Sequence, residues 1–176
     1  MEFTHFDEKG NARMVDVSEK EITHREATAV GTIRVSREVY DAVAAKKVKK
    51  GDVLTVAQVA GIMGCKRTLE LIPMCHALSL TNAAVTFEAD SENSAFHARC
   101  TVKTDGKTGV EMEALTGVMA ALLTVYDMCK AIDRRMVISD VHLEEKSGIL
   151  ENVSCRKIII LRHDNVFSIP AITILP

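Results

Sequence analysis

One long segment with helical periodicity constrains the fold of this chain more than any other feature of its sequence. Over residues 112–133 the apolar side chains recur at the spacing of a helix that advances about 100° per residue. A helix of this length needs a broad apolar partner, so its apolar stripe is expected to pack in the core of a domain. That stripe consists of Leu115, Val118, Met119, Leu122, Tyr126 and Cys129.

Two further helices and a strand are predicted before this segment. Residues 22–35 alternate between apolar and polar side chains, which predicts a strand. Ser36 is suited to cap a helix that continues to about residue 46, and Asp52 is suited to cap a second helix. The predicted buried stripe of the second helix consists of Val53, Val56, Val59, Ala60 and Met63.

The remaining segments predict an antiparallel sheet. Residues 78–88 and 95–104 are expected to form a hairpin, and residues 136–146 a last strand. The order of strand, two helices, two strands, helix and strand is close to a ferredoxin-like α+β fold, in which helices cover one face of the sheet. The other face is expected to be covered by another subunit.

The chain is expected to contain one folded domain with two extensions. Residues 1–20 are polar and predict an extended N-terminal arm, and residues 21–148 form the predicted domain. Residues 149–176 form a C-terminal tail with apolar runs at 158–161 and 169–175. We expect this tail to lie at the periphery, weakly packed or paired with a sheet edge.

Composition argues against several classes of protein. The net charge is only −2 and 4% of residues are aromatic, with no Trp, so a nucleic-acid-binding surface with stacking side chains is not expected. No apolar run approaches the roughly 18 residues of a membrane span, and the acidic start is unlike a signal peptide. Five cysteines without Cys-x-x-Cys spacing predict reduced thiols in a cytoplasmic protein, with no zinc site.

Charged side chains on the long helix form two candidate functional groups. Asp127 and Lys130 are three residues apart and therefore neighbours on the helix surface, either as a surface ion pair or as a carboxylate and amine that move protons at a cleft. Glu111 is expected to precede the helix, because within it this side chain would fall on the apolar stripe. Glu113 is expected in the first turn, either as a capping carboxylate or as a ligand contact.

Two further features have a structural and a functional interpretation. Cys75 and His76 follow a predicted helix and precede a strand, where sites often form, although an adjacent Cys-His pair is poor geometry for a shared metal. Basic residues recur at the ends of elements, either as solvated charges or as a polyphosphate site without a P-loop. These are Arg25, Lys50, Lys66, Arg67, Lys130 and Lys146.

Several of these residues lie in motifs through which the chain resembles the cyclic pyranopterin monophosphate synthases, the molybdenum-cofactor biosynthesis protein C family. The resemblance extends over about residues 12–148 without a break. It is specific because many motifs match in register. They occupy residues 14–18, 66–68, 71–76, 107–116, 126–131 and 137–140.

The resemblance implies a homohexamer, a trimer of dimers, with sites between neighbouring subunits. It implies a lyase that converts 3′,8-cyclo-7,8-dihydro-GTP to cyclic pyranopterin monophosphate and releases pyrophosphate. Asp127, Lys130 and Lys50 match the catalytic residues, and we treat Lys50 and Asp127 as candidates for contributions from different chains. The implied substrate contacts are Arg25, Met74, Cys75, His76, Glu111, Met112, Glu113 and Lys146.

The implied reaction suits these residue types. It consists of proton transfers and additions without net redox change, and lysine and arginine can hold a triphosphate and stabilise departing pyrophosphate. No cofactor is expected to be required, although magnesium bound to the triphosphate would accompany the substrate. The alternatives are a binding module that kept the fold without the chemistry and an RNA-binding module on a ferredoxin-like sheet.

Overall fold

One antiparallel sheet forms the framework of the protein in the computed structural model, which describes residue 5, residues 9–148 and residues 153–154. The strand order is β2-β3-β1-β4-β5, and every neighbouring pair is antiparallel. This arrangement confirms the predicted ferredoxin-like α+β fold. The strands are β1 (Thr23–Arg34), β2 (Leu80–Asp90), β3 (Ala95–Gly106), β4 (Val137–Ser147) and β5 (Val153–Ser154).

Four helices accompany the sheet in the described part of the chain: α1 (Arg37–Ala44), α2 (Val53–Lys66), α3 (Thr68–Leu71) and α4 (Glu111–Cys129). Both predicted N-caps are confirmed, because the Ser36 side chain accepts a hydrogen bond from the Val39 amide and the Asp52 side chain accepts one from Thr55. The short helix α3 was not predicted.

The long helix α4 begins and ends earlier than predicted. Glu111 is its first residue, so the prediction that this residue precedes the helix is wrong. The helix stops at Cys129, whose carbonyl accepts hydrogen bonds from the amides of Ile132 and Asp133 and so turns the chain away. The buried face is also rotated from the predicted stripe, because Met119 is 36% exposed whereas Ala114, Gly117, Ala121 and Val125 are buried.

The buried face of α2 differs from the prediction as well. The helix buries Val53, Ala57, Gly61 and Cys65, and it leaves the predicted core residues Val56, Val59 and Met63 exposed. Small side chains allow the backbones of α2 and α4 to approach closely, and this close contact determines which face is buried. The larger apolar side chains of α2 consequently point outward.

Glycines permit this close approach between α2 and α4. A Cβ added to Gly61 would lie 2.9 Å from the Gly117 carbonyl oxygen, and one added to Gly64 would lie 2.8 Å from the Ala120 Cβ. A Cβ on Gly117 would lie 2.6 Å from each sulfur of Cys65 and Cys100. Helix, helix and sheet therefore meet at one glycine of α4.

The core lies between the sheet and the helices. Ile33, Phe96 and Leu122 are among its largest fully buried side chains, and the rings of Phe96 and Tyr40 stack with centroids 5.1 Å apart. Among the described residues, only α4 has the length and apolar composition of a membrane span, with a hydropathy of 1.3. Half of this apolar stretch of α4 is buried within the protein, as is usual for a core helix.

The face of the sheet opposite the helices is polar. Glu26 pairs with Lys103 at 2.8 Å, and Thr28 shares a hydrogen bond of 2.9 Å with Thr101 across the strands. Arg99 also pairs with Glu144 on this face. Cover of this face by another subunit remains a prediction. The exposed large apolar residues of α2 and α4 lie on the opposite side of the sheet, where the helices pack.

The predicted C-terminal tail is described at two residues only. Val153 and Ser154 form β5, which pairs with Lys146 and Glu145 at the edge of β4. This short pairing agrees with the expectation that the tail meets a sheet edge. The two apolar runs at 158–161 and 169–175 lie outside the described residues.

Candidate active site

The predicted site residues form two clusters at opposite ends of α4. We call the first the α4-start cluster; it consists of Arg25, Met74, Cys75, His76, Glu111, Met112, Glu113 and Lys146. The second, the α4-end cluster, consists of Lys50, Asp127 and Lys130. Glu113 and Asp127 are fourteen residues apart on one helix, which corresponds to about 21 Å along its axis.

Two adjoining cavities lie at the α4-start cluster. The first, of about 220 Å³, is lined by Arg25, Glu111 and Lys146 from three different elements. The second, of about 270 Å³, is lined by Met112 and Glu113 together with the segment that carries Met74, Cys75 and His76. Glu111, Thr108 and Gly109 line both cavities, so these cavities share a wall.

Glu113 is the buried carboxylate of the α4-start cluster. The residue is only 6% exposed, and burial, assisted by the neighbouring charge of Glu111, raises the pKa of its carboxyl group. A raised pKa favours the neutral acid, which can donate a hydrogen bond or a proton. Glu113 lies in the first turn of α4, as predicted, and both interpretations of it, as a capping carboxylate and as a ligand contact, stay open.

Cys75 and His76 play different parts in the second cavity. Burial, with the nearby Glu113 charge, raises the pKa of the Cys75 thiol, so this group stays a protonated thiol rather than a nucleophilic thiolate. His76 Nε2 lies 2.7 Å from the Val15 carbonyl oxygen. A carbonyl can only accept, so Nε2 carries a proton and donates it in this hydrogen bond.

Arg25, Glu111 and Lys146 bring opposite charges together in the first cavity. Lys146 Nζ lies 3.3 Å from Glu111 Oε1, and Arg25 lies against Gly148, where an added Cβ would collide with the guanidinium. Arg25 Nε is buried and has no hydrogen-bond partner among the described residues. Arg25 also lines the first cavity, so its guanidinium contributes positive charge there.

The α4-end cluster is a carboxylate between two ammonium groups. Asp127 accepts from Lys130 Nζ at 2.6 Å and from Lys50 Nζ at 3.3 Å, and Lys50 also donates to the Asp127 backbone carbonyl at 3.0 Å. The hydrogen bond from Lys130, followed by that from Lys50, lowers the pKa of the Asp127 carboxyl group. All three side chains are about half exposed, so a ligand could reach them.

This geometry corrects one hypothesis about chain contributions. Lys50 and Asp127 were candidates for different subunits, but they contact each other within one chain. Within one chain the two clusters lie about 21 Å apart, measured along the axis of α4.

The cavities also contain residues that the sequence did not identify as site residues. Lys20 and Thr108 line both cavities, and Lys107 lines the first. Lys107 and Thr108 belong to the motif at residues 107–116, so the match of this motif could have indicated them as candidate site residues. By contrast, Lys66 and Arg67, which were proposed as part of a polyphosphate site, line neither cavity.

The arrangement offers acid-base and anion-binding groups. Within the described ranges, no group of three or more His, Cys, Asp or Glu side chains is placed to hold a metal ion. The groups at hand are a guanidinium at a cavity wall, a carboxyl group with raised pKa and a carboxylate flanked by two lysines. Such groups can bind an anion and move protons to and from it.

Comparison with known proteins gives consistent matches over nearly the whole domain. Residues 14–148 match the model of the MoaC family. A protein of Thermoanaerobacter pseudethanolicus named cyclic pyranopterin monophosphate synthase is 56% identical over 148 residues, which cover 84% of this chain and 94% of that protein. A protein of the same name from Heliobacterium modesticaldum is 57% identical over 145 residues, covering 82% of this chain and 91% of its own length.

Proposed function

The chain belongs to the MoaC family, and from this membership we propose that it is a cyclic pyranopterin monophosphate synthase, a lyase of molybdenum-cofactor biosynthesis. Its substrate would be 3′,8-cyclo-7,8-dihydro-GTP and its products cyclic pyranopterin monophosphate and pyrophosphate. The observation that carries the proposal is the pair of charged clusters on α4, one suited to a polyphosphate and one to proton transfer.

The α4-start cluster would bind the substrate. Arg25 and Lys146, which line the first cavity, offer cationic donors to the triphosphate. Glu113, whose pKa is raised by burial, and Cys75, a protonated thiol, would contact the heterocycle through hydrogen bonds. Met74 and Met112 would supply apolar contact to a planar ring system.

The α4-end cluster would carry the proton transfers. Ring opening, reclosure on a sugar carbon and formation of the cyclic phosphate each need a proton removed at one atom and supplied at another. An ionised Asp127 can accept a proton, and the ammonium groups of Lys50 and Lys130 can donate one or stabilise charge on departing pyrophosphate.

One site that contains both clusters would have to form between two subunits. Met119 lies midway between Met112 and Asp127 in the sequence, and Met112, Met119 and Leu123 are exposed apolar residues of α4. If two copies of α4 pack antiparallel about Met119, the end of one helix meets the start of the other. This pairing would give the dimer of the proposed homohexamer, a trimer of dimers.

Magnesium and cellular location complete the proposal. Magnesium would arrive on the triphosphate of the substrate and is not expected to be obligatory. Chelation by EDTA should therefore leave turnover measurable, and its complete loss would contradict this point. The proposed location is the cytoplasm, as a soluble enzyme.

A turnover assay tests the proposed function. The chain is incubated with the enzymatically made cyclised intermediate, and the product is oxidised to a fluorescent pterin and quantified. Asp127→Asn and Lys130→Ala should each reduce turnover by about 100-fold or more, because each removes a proton-transfer group. Arg34→Ala, a change at an exposed residue of β1, should turn over normally.

The assay can also reject the proposal. Absence of pterin with the unaltered chain at saturating substrate would remove the synthase function and favour a binding module that lacks the chemistry. Near-normal turnover in both Asp127→Asn and Lys130→Ala would return this pair to a surface ion bridge.

A further inference from the structure

The segment at residues 15–20, which we call the strap, lies along the cavities of the α4-start cluster. Two side chains hold it by its backbone: His76 Nε2 donates to the Val15 carbonyl at 2.7 Å, and Lys107 Nζ donates to the Ser18 carbonyl at 2.6 Å. The strap is also folded on itself, because the Asp16 carboxylate accepts from both the amide and the hydroxyl of Ser18.

The strap ends at a lysine that faces both cavities. Lys20 lines the first cavity with Arg25 and Lys146 and the second cavity with Met112 and Glu113. Its amide donates to the Val17 carbonyl at 3.1 Å, so the turn of the strap determines where this residue emerges. The anchors and the turn together place one cation where the two cavities adjoin.

We propose that Lys20 is a further substrate-binding residue, which contacts the anionic phosphate chain of the substrate and is brought there by the strap. His76 and Lys107 are then positioning residues, which act on the substrate through the strap. The proposal rests on the proposed function, because it names an additional residue of the same site.

The charge arrangement in the first cavity supports this role for Lys20. Glu26 is paired with Lys103 and Glu111 with Lys146, so both carboxylates of the cavity wall already have partners. Lys107 is engaged with the Ser18 carbonyl. Lys20 makes no ion pair with any carboxylate in the described part of the chain, so its exposed ammonium adds net positive charge to the cavity.

The substrate explains why another cation is useful there. A triphosphate carries several negative charges, and Arg25 with a partly neutralised Lys146 cannot balance them. Lys20 also differs from these two residues because it is held by a segment outside the sheet, through two hydrogen bonds. Loosening the strap should therefore weaken binding even when Lys20 itself is unchanged.

Titration calorimetry with pyrophosphate and with GTP on the full chain tests the role of Lys20. Lys20→Ala should weaken binding of both ligands by roughly tenfold at low ionic strength, with a smaller difference from the unaltered chain at high salt. Lys20→Arg should restore most of the affinity because it keeps the charge. The matched control is Arg34→Ala, which removes one exposed cation at the opposite end of β1 from Arg25 and should not change affinity.

Lys107→Met tests the positioning role. This change keeps Lys20 but removes the bond to Ser18, so the KM for substrate should rise several-fold while kcat changes less. Amide hydrogen exchange of residues 15–20 should become faster in the same variant. An unaltered KM together with unaltered exchange would overturn the anchoring role of Lys107.

The outcomes separate this inference from the proposed function. If Lys20→Ala binds as tightly as Arg34→Ala while Arg25→Ala loses affinity, the phosphate site stands and Lys20 is not part of it. If Arg25→Ala, Lys146→Ala and Lys20→Ala all bind pyrophosphate and GTP normally, the polyphosphate site itself is wrong. If Lys20→Ala fails to fold, Lys20→Arg and Lys107→Met test the proposal by the same measurements.

Discussion

Two carboxylates on one helix experience opposite environments. Glu113 is buried near the start of α4, where burial raises the pKa of its carboxyl group, whereas Asp127 is exposed between two lysines that lower the pKa of its own. Titratable groups whose pKa values are pushed apart are characteristic of acid and base roles in one reaction. At a pH between the two pKa values, Glu113 is a neutral donor while Asp127 is an ionised acceptor.

The raised pKa of Glu113 predicts a pH-dependent stability difference. Above the ordinary carboxyl pKa of 4.5, the folded chain holds a proton at Glu113 that the unfolded chain has released. The free energy of unfolding therefore decreases as pH rises from 4.5 through the higher pKa that Glu113 has in the folded chain. Glu113→Gln removes this titration, so thermal unfolding should show the variant gaining stability relative to the unaltered chain over that range.

A constant difference in Tm between the two proteins at every pH would contradict this interpretation of Glu113. Glu111→Gln removes the neighbouring charge that adds to the raised pKa of Glu113, so it should weaken this pH dependence of Tm without abolishing it.

At the residue scale, the sequence predicted geometry on one helix and missed contacts between distant segments. The spacing of Asp127 and Lys130 was sufficient to predict their contact, because residues three apart on a helix are neighbours. The contact of Lys50 with Asp127 spans 77 residues, and the basic character of Lys50 gave no sign that it meets this carboxylate. The proximity of Glu113 to Cys75 likewise joins two segments that local pattern cannot bring together.

At the element scale, the helices were predicted more reliably than the faces they bury. Ser36 and Asp52 identified two helix starts because capping is a local interaction. The buried face of α2 was assigned to its large apolar residues, yet the helix packs through Gly61, Ala57 and Cys65. Hydrophobic periodicity favours large side chains, whereas close packing of two helices favours small ones.

The close approach of α2 and α4 predicts that Gly117→Ala is destabilising. A Cβ at this position would lie 2.6 Å from the sulfurs of both Cys65 and Cys100. Alanine is the better helix former by about 1 kcal/mol, but overpacking costs about 1–3 kcal/mol. We expect a net loss of up to about 2 kcal/mol in the free energy of unfolding, measured by urea denaturation.

A rescue variant provides the control for Gly117→Ala. Replacing Cys65 and Cys100 by alanine in the same chain removes both clashing sulfurs, so the added methyl group should be accommodated. The triple variant should be no less stable than Cys65→Ala with Cys100→Ala alone. Equal stability of Gly117→Ala and the unaltered chain would show that α2 and α4 have room to separate.

At the scale of the whole molecule, the short pairing of β5 predicts that the C-terminal tail can be removed with little effect. Truncation after Gly148 removes β5, which pairs with only two residues of β4, and leaves the four long strands and all described helices in place. We expect Tm to fall by no more than about 4 °C and turnover to stay within about twofold. A larger loss in either measurement, with assembly followed by light scattering, would assign the tail a role in the site or in the oligomer.

The separation of the two clusters predicts complementation between inactive variants. A chain with Asp127→Asn carries an intact α4-start cluster, and a chain with Glu113→Gln carries an intact α4-end cluster. Co-refolding equal amounts should place one unaltered site in each mixed dimer, which corresponds to about a quarter of normal turnover.

Lys50→Ala mixed with Asp127→Asn is the matched control, because both changes fall in one cluster and no mixed dimer has an unaltered site. Light scattering should show a hexamer for every variant. Rescue in the control pair, or a monomeric mass, would contradict the division of the site between chains.

If two chains share the site, as proposed, the length of α4 between its two clusters also links catalysis to mass action. A site that exists only while two chains are associated must disappear on dilution, so turnover per chain should fall once the protein concentration passes below the dissociation constant of the dimer. The coupling is reciprocal. If association of the two chains raises their affinity for a ligand by some factor, the ligand raises the affinity of the chains for each other by the same factor. Substrate binding would thus stabilise the dimer. Turnover by dilute enzyme would show a lag while substrate promotes association of the subunits.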